Sequence, residues 1–365
     1  MERAILMFYY IAFYCFAILC LPIDYMKSRE RIFVFVIMSI VVFSFISGLR
    51  VGVKPDWYNY AWVFENFEIS EIFNYSAYSK EPGYMAINLL IRCIYDSKYL
   101  LFYIIALTSI TLTFISYFKM SSNAFVCILI YSSFFFINRD MGAIRAGLAY
   151  SFFLYGLTFY YTSTKKRQVL NFLSFTLHFT AILSFIVSIG MKLFDTRSKL
   201  IYMLLFSLLF YMSGVSSLVL EFFSSSAVKV VSTKATAYMG SEELTYDIGL
   251  LDATNLKNTF FSIVCILFYN KLCTKNKFGA LLIFVYILGT SIRLAFSDLG
   301  VIAGRGYTIF NTVEPLIIAS FYSILPKNTL SIMAYYLFVI IFGALILIMS
   351  IYKYETYPYI NYVFS

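Results

Sequence analysis

Apolar runs of about twenty residues recur along this chain from end to end, separated by short polar connectors. Runs of that length can cross a hydrocarbon core about 30 Å thick as α-helices, which satisfy their backbone N–H and C=O groups internally. The pattern predicts spans near 4–22, 32–48, 98–118, 124–138, 144–161, 199–221, 257–272, 278–296, 306–325 and 329–351. The first run, Ile5 to Leu21, lacks a small-residue cleavage site and is followed at once by another span, so it is expected to be retained. Two segments break the rhythm. Residues 83–97 are short and carry Arg92; residues 169–190 are apolar but have basic connectors at both ends. The second reads as a hairpin that enters and returns, bent near His178. With both non-crossing there are about ten crossings, and eleven or twelve if either spans.

Composition sharpens this picture. The chain has 365 residues, 61% hydrophobic and 21% aromatic, and only 13% are charged, about half the share of a soluble domain. Lipid must solvate much of the surface, and a single membrane domain over 1–365 is expected. The net charge of +9 is no nucleic-acid footprint. Basic residues cluster in short connectors (Lys27, Arg29, Arg31; Lys165, Lys166, Arg167; Lys192, Arg197, Lys199; Lys271, Lys275, Lys277), as they do on the cytoplasmic side of membrane proteins. The acids gather in or beside two longer loops near 49–82 and 222–256: Asp56, Glu65, Glu68, Glu71 and Glu81, then Glu221, Glu242, Glu243, Asp247 and Asp252. These loops are expected outside. Six scattered cysteines without C-x-x-C spacing and a single histidine argue against a disulfide framework or a metal centre, and no cofactor is expected. Phosphate-loop, nucleophile-elbow and zinc-helix motifs do not occur.

Topology leaves some polar residues unexplained. Arg50, Arg139, Arg145, Arg293 and Arg305 all fall near the expected outer ends of spans. Arg near a bilayer is costly, and its planar fork grips two phosphate oxygens at once, so a converging set suits an anionic headgroup such as a diphosphate. At any one of these positions, snorkelling to lipid phosphates or pairing with Asp140 or Asp298 reads the same way. The island "LRVGVKPDWYNY" places Asp56 among Trp57, Tyr58 and Tyr60, either a carbohydrate platform or an interfacial aromatic belt. Glu81 opens "EPGY", where an acid before Pro82 is also an ordinary helix start. A lone histidine such as His178 is often a satisfied core residue; inside a membrane, an ionisable group points to function. Late in the chain, "AGRGYTIFNTVEP" sets Arg305 between two glycines at a span entrance, allowing close approach or unusual dihedrals, with Glu314 inside the span.

The order of these elements resembles a known family. Arg50-x-Gly52 with Asp56 and Tyr60, then "EPGY" (Glu81 to Tyr84), "IRAGLAYSFFLYGL" (Arg145 to Leu157), "LHFTAIL" (His178 to Leu183) and a late "GRGYTIF" look like the EpsG-like branch of Wzy-type polysaccharide polymerases. The likeness runs from about residue 45 to 316. It departs where Ala146 replaces the usual Gln after the central Arg, and where "VKP" stretches the spacing before Asp56. The resemblance implies a bacterial inner-membrane, multi-pass glycosyltransferase that is all-α, with about ten to twelve transmembrane helices, a bundle like the metal-independent GT-C transferases, and two outer loops. It would join undecaprenyl-diphosphate-linked oligosaccharide repeat units at the periplasmic face, for O-antigen, capsule or exopolysaccharide. Its implied partners are that substrate, membrane lipid, and a chain-length regulator and flippase of the same pathway. Arg50, Arg145 and Arg305 are then expected to hold diphosphate, with Arg139 and Arg293 as further anion contacts and Tyr58, Tyr60 and Tyr84 as sugar contacts. Asp56 or Glu81 would activate the acceptor hydroxyl, and His178 would orient it or relay its proton.

Two other functions share the membrane and the Arg set: a flippase for lipid-linked oligosaccharide, and the ligase that moves finished chains onto lipid A. A flippase should show two related halves, which the sequence lacks, and does not require the clustered acid, rings and Arg after the second span. A passive membrane scaffold leaves the Arg set unexplained.

Overall fold

A computed structural model describes residues 2–53, 55–68, 80–225, 246–354, 360 and 362. The middle of each expected outer loop, with Glu71, Glu242 and Glu243, lies outside the described residues. Among those described there are seventeen α-helices and no strand. Three of them, Arg29–Gly48, Lys98–Met120 and the stretch Thr329–Tyr352, are long and apolar enough to cross a membrane unbroken. The molecule is an all-α polytopic membrane protein.

The side chains agree with lipid as the solvent. Helix α1 is Glu2–Leu19, α2 Arg29–Gly48, α3 Pro55–Asn66, α4 Pro82–Ile94, α5 Lys98–Met120, α6 Ala124–Ser133, α7 Ile144–Leu157 and α8 Thr164–Leu177. Then come α9 Ile186–Leu193, α10 Arg197–Met212, α11 Val215–Ser224, α12 Ala253–Leu267 and α13 Tyr269–Lys275. The last are α14 Gly279–Ala295, α15 Gly300–Thr308, α16 Glu314–Ser320 and α17 Thr329–Tyr354. Helix α2 exposes Val34, Ile37, Met38 and Val41, and α17 exposes Leu330, Met333, Leu337, Ile341, Leu345 and Ile348. Helix α12 is inside out by the standard of water: Leu256, Phe260, Ile263 and Leu267 face outward while Asn255, Asn258 and Ser262 are buried. A water-soluble helix shows the reverse.

Several expected spans are interrupted. Span 306–325 becomes α15, a 3₁₀ turn Phe310–Val313, α16 and a second 3₁₀ turn. Pro315, in the first turn of α16, removes a backbone donor, so one straight helix cannot run through. Span 199–221 breaks between α10 and α11 at Gly214, which has φ +64°. Span 124–138 gives α6 and then a π-helical turn, Phe136–Asp140.

Backbone contacts divide the chain into two compact units, residues 1–182 with 318–365, and residues 183–317. In the first, the basic connectors share one end: Arg29 donates to the Ser121 carbonyl at 3.4 Å, Asp24 accepts from Phe125 N–H, and Lys119 lies 4.7 Å from the Tyr155 ring. The opposite end holds the polar island. There Arg50 Nε donates to Met141 O at 2.9 Å, and the last residues return, with Val51 N–H on Ile360 O (2.8 Å) and Tyr362 N–H on Leu49 O (2.7 Å). Contact between 49–51 and 360–362 requires an even number of crossings between them. The expected spans satisfy this, and a crossing by just one of the two awkward segments would break it. Helix α4 stays at the island end, with Glu81 on Arg145 and Arg92 Nη1 on Phe67 O (2.7 Å). Helix α8 rises from the basic end, where Arg167 lies over Tyr160 (4.4 Å), to the island end, where it stops at His178.

The second unit wraps α14, buried almost all round, with α10, α12 and α15.

Candidate functional site

The site begins with the turn after α2. Arg50 is fully buried, its guanidinium donating to Ser47 O and Met141 O and lying 5.3 Å from the Phe102 ring. Two residues on, Gly52 adopts φ +64°, and a Cβ there would come 2.7 Å from Tyr58 Oη. Arg50-x-Gly52 therefore builds a turn that only glycine closes easily. Trp57 Nε1 donates to Arg50 O at 3.1 Å and its ring stacks on Phe102. Arg50 donates to backbone carbonyls, and Trp57 and Tyr60 are buried. Tyr58 is 63% exposed, and Asp56 is exposed in the first turn of α3.

"EPGY" has one structural reason per residue. Glu81 stands at the N-cap of α4 but makes no side-chain cap bond, so the ordinary capping role is not the one it plays. Its carboxylate reaches Arg145 Nη1 through one oxygen and accepts the Phe179 N–H at 3.2 Å through the other. Pro82 fills the first helical position, where no donor is missed. Gly83 lets α4 touch the end of α8, because a Cβ would lie 2.7–2.9 Å from Thr176 Oγ1 and its carbonyl. Tyr84 is fully buried, its ring 5.8 Å from that of Tyr60. Both rings sit beneath the Arg145 guanidinium, at 5.6 Å for Tyr60 and 5.7 Å for Tyr84. Gly83→Ala is expected to force α4 from α8 and cost about 1–3 kcal/mol; a lowered melting temperature of the purified protein in detergent would record it.

Arg145 and His178 meet through helix register. Helices α7 and α8 pack antiparallel, with Ser174 Oγ on Ala149 O and Gly156 against Asn171 and Arg167. Continuing that register by one turn carries Arg145 to His178. There the backbone turns extended (φ −155°, ψ 123°), ending α8 and releasing the Phe179 N–H for Glu81. Imidazole Nδ1 is 2.7 Å from Thr180 Oγ1, which is 2.8 Å from Tyr150 Oη, and the Tyr150 ring meets the imidazole edge-on at 5.8 Å. Arg139, in the π-helical turn, lies 5.0 Å over the Tyr150 ring, and Gly147 backs onto its main chain. The Asp140 carboxylate takes the hydroxyls of Ser109 (2.7 Å) and Tyr131, with the Arg139 and Arg50 charges near it.

Burial by itself would raise the Glu81 pKa, but the Arg145 guanidinium, His178 and the Phe179 N–H hold it below its ordinary value of 4.5. A depressed carboxylate contributes stability that is complete above its unfolded-state value and is lost as pH falls through the folded one. The melting-temperature gap between wild type and Glu81→Gln should therefore persist from about pH 8 down to pH 5 and close only below about 4.5. A gap that closed near neutrality would contradict the ion pair.

In the second unit, Arg293 is buried and donates to Asp252 at 2.9 Å while lying 4.7 Å over Tyr307. Asp252 also caps α12 through the N–H groups of Thr254 and Asn255, and its pKa is lowered, Arg293 outweighing the burial. Arg305 is exposed and lies inside α15, which starts at Gly300. Neither flanking glycine has positive φ; Gly306 instead admits a methyl of Ile292, 2.9 Å from where a Cβ would stand. Lys257 and Glu314 form a further pair at 2.6 Å, joined by Tyr286 Oη at 3.4 Å.

Of the residues expected from sequence, the fold gathers Tyr60, Glu81, Tyr84, Arg145 and His178, with Arg139 behind Tyr150. Sequence reasoning missed Thr180, Tyr150 and Lys257. A hydroxyl two residues after the only histidine was a usable signal for Thr180; Lys257 carried none.

Comparison with known proteins gives two matches. The profile described as the EpsG family covers residues 32–364. The chain is 24% identical over 327 residues to the amylovoran biosynthesis protein AmsC of Erwinia amylovora, covering 85% of each. No solved structure gives a significant match.

Proposed function

This chain belongs to the EpsG family, and from that premise we propose that it is a polysaccharide polymerase of the bacterial inner membrane, acting as one domain. Its substrates are oligosaccharide repeat units carried on undecaprenyl diphosphate. The basic connectors mark the cytoplasmic end of the first unit, so the Glu81–Arg145 end faces the periplasm. In the reaction, the bond between the anomeric carbon of the donor chain and its diphosphate breaks. The acceptor hydroxyl oxygen takes that carbon, its proton passes to a carboxylate, and negative charge grows on the departing diphosphate.

Arg145 is the group we assign to that charge, because Glu81, Tyr60 and Tyr84 fix its guanidinium before substrate arrives. A donor aimed in advance at developing charge is the main source of electrostatic catalysis. Glu81, held by Arg145 and the Phe179 N–H with a depressed pKa, is a poor base and a good positioner. Asp56, exposed on α3, is then the proposed base, and His178 orients the acceptor. Arg305, exposed on α15, is a further proposed contact for lipid-linked substrate. The Glu81–Arg145 pair beside the only histidine carries this reading.

Purified protein given lipid-linked repeat unit should yield a ladder of longer chains, and the deletion strain should display single repeat units only. Loss of all surface units would instead indicate a flippase, and loss of long and short attachment together a ligase.

A further inference from the structure

Three groups in the first unit form an unbroken hydrogen-bonded line: His178 Nδ1, Thr180 Oγ1 and Tyr150 Oη, at 2.7 and 2.8 Å, and the last two have no role above. A threonine hydroxyl has one proton and two lone pairs, so it can bond both neighbours while giving its proton to only one. Where Tyr150 donates to Thr180 and Thr180 passes its own proton to Nδ1, neutral imidazole carries its proton on Nε2. If Nδ1–H donates instead, Thr180 passes its proton toward Tyr150 and Nε2 keeps a lone pair. In both arrangements the Thr180 hydroxyl is the group that links Nδ1 to Tyr150. The partner of one imidazole nitrogen commonly sets the chemistry of the other.

The anchor behind Thr180 is rigid. Tyr150 is buried on α7, one helical turn and a residue beyond Arg145, with its ring against both the imidazole and the Arg139 guanidinium. His178 closes α8, its N–H on Ser174 O at 3.1 Å and its carbonyl accepting from Ala181 N–H at 2.9 Å. Its main chain is held by these bonds, and the Thr180 hydroxyl is what its ring nitrogen meets. We infer that Thr180, backed by Tyr150, is a positioning residue that sets the tautomer and ring orientation of His178 beside the Glu81–Arg145 pair. The inference rests on the proposed polymerase reading for its catalytic consequence, but not for the local chemistry. The charged and titratable groups around the ring are Glu81 from the start of α4, Arg145 and Tyr150 from α7, and Arg139 from the π-helical turn.

Because the chain has one histidine, ¹⁵N-histidine labelling gives a single imidazole to read. Spectra of the full-length protein in phospholipid nanodiscs, recorded against pH, report tautomer and titration directly. Thr180→Val, which keeps shape and removes the hydroxyl, should redistribute the Nδ1 and Nε2 signals and move the titration by about half a pH unit or more. Thr180→Ser should restore the wild-type pattern, and Tyr150→Phe should shift it in the same sense as Thr180→Val. With lipid-linked repeat unit, Thr180→Val should lower kcat about 10- to 100-fold with KM changed less than about threefold, and Thr180→Ser should recover most of it. Spectra of Thr180→Val identical to wild type would overturn the inference. So would changed spectra with full turnover, which would detach His178 alignment from the reaction. A wild-type protein that makes no polymer would sink the polymerase reading, while the spectra still decide the local one.

Discussion

Arg145→Lys is expected to cut polymer formation by about 100-fold or more in a complemented deletion strain, with the protein still present in the membrane fraction. Lysine keeps the positive charge, so loss of activity would isolate geometry from charge. The guanidinium has Glu81 on one side and two tyrosine rings beneath it, and a planar fork can meet all three while still facing a diphosphate. An ammonium is a point charge that follows its carboxylate. Side-chain exposure of 18% for Arg145 and 15% for Glu81 sets the second half of the prediction. Glu81→Ala leaves a mostly buried cation unpaired and should lower folded yield, whereas Arg145→Lys should not. Wild-type ladders from Arg145→Lys would remove this residue from the chemistry.

Glu314→Ala should be the most destabilising single change in the second unit, at about 3–5 kcal/mol. Glu314 is almost wholly buried, takes both hydrogen bonds from Lys257 Nζ at 2.6 and 2.7 Å, and shares the site with Tyr286 and Asn258. Removing it strands an ammonium among apolar helices. The lost pair also tied the start of α16, at Pro315, to α12, and the Lys257 side chain it leaves is 23% exposed. The double variant Lys257→Met with Glu314→Leu removes both charges and should regain most of the loss. Fluorescence-detected size exclusion after a heating series would measure both. A single variant as stable as wild type would show that water reaches the pair.

How much of this was readable in advance divides along physical lines. The membrane class, the all-α architecture and the basic end followed from local quantities: run length, charge content and the placement of Lys and Arg. So did the break near His178, because basic connectors on both sides of one apolar run leave it no simple crossing. The lengths of unbroken helices were less legible. Span 306–325 is in pieces because proline acts within a run that counts as apolar, and 124–138 ends early in a π-helical turn whose Asp140 is satisfied by Ser109 and Tyr131. Hydropathy averages over such events.

The site shows the same boundary more sharply. "EPGY" and the late "GRGYTIF" element stand out as motifs, yet what Glu81 touches and where Arg305 sits on α15 come from the fold. Arg50 and Arg145 are the same residue type near the ends of two expected spans. One is sealed beneath backbone carbonyls and the other stands against a carboxylate, and no feature of their neighbours in sequence distinguishes them. Hydrophobic periodicity and charge bias are sums over adjacent residues, so the sequence by itself determined that this chain lies in a membrane as helices, with polar islands set apart from its short basic connectors. Which Arg meets which acid depends on the antiparallel register of α7 on α8 and on a glycine contact between α4 and α8. Those distances span dozens of residues along the chain, and only the folded packing sets them.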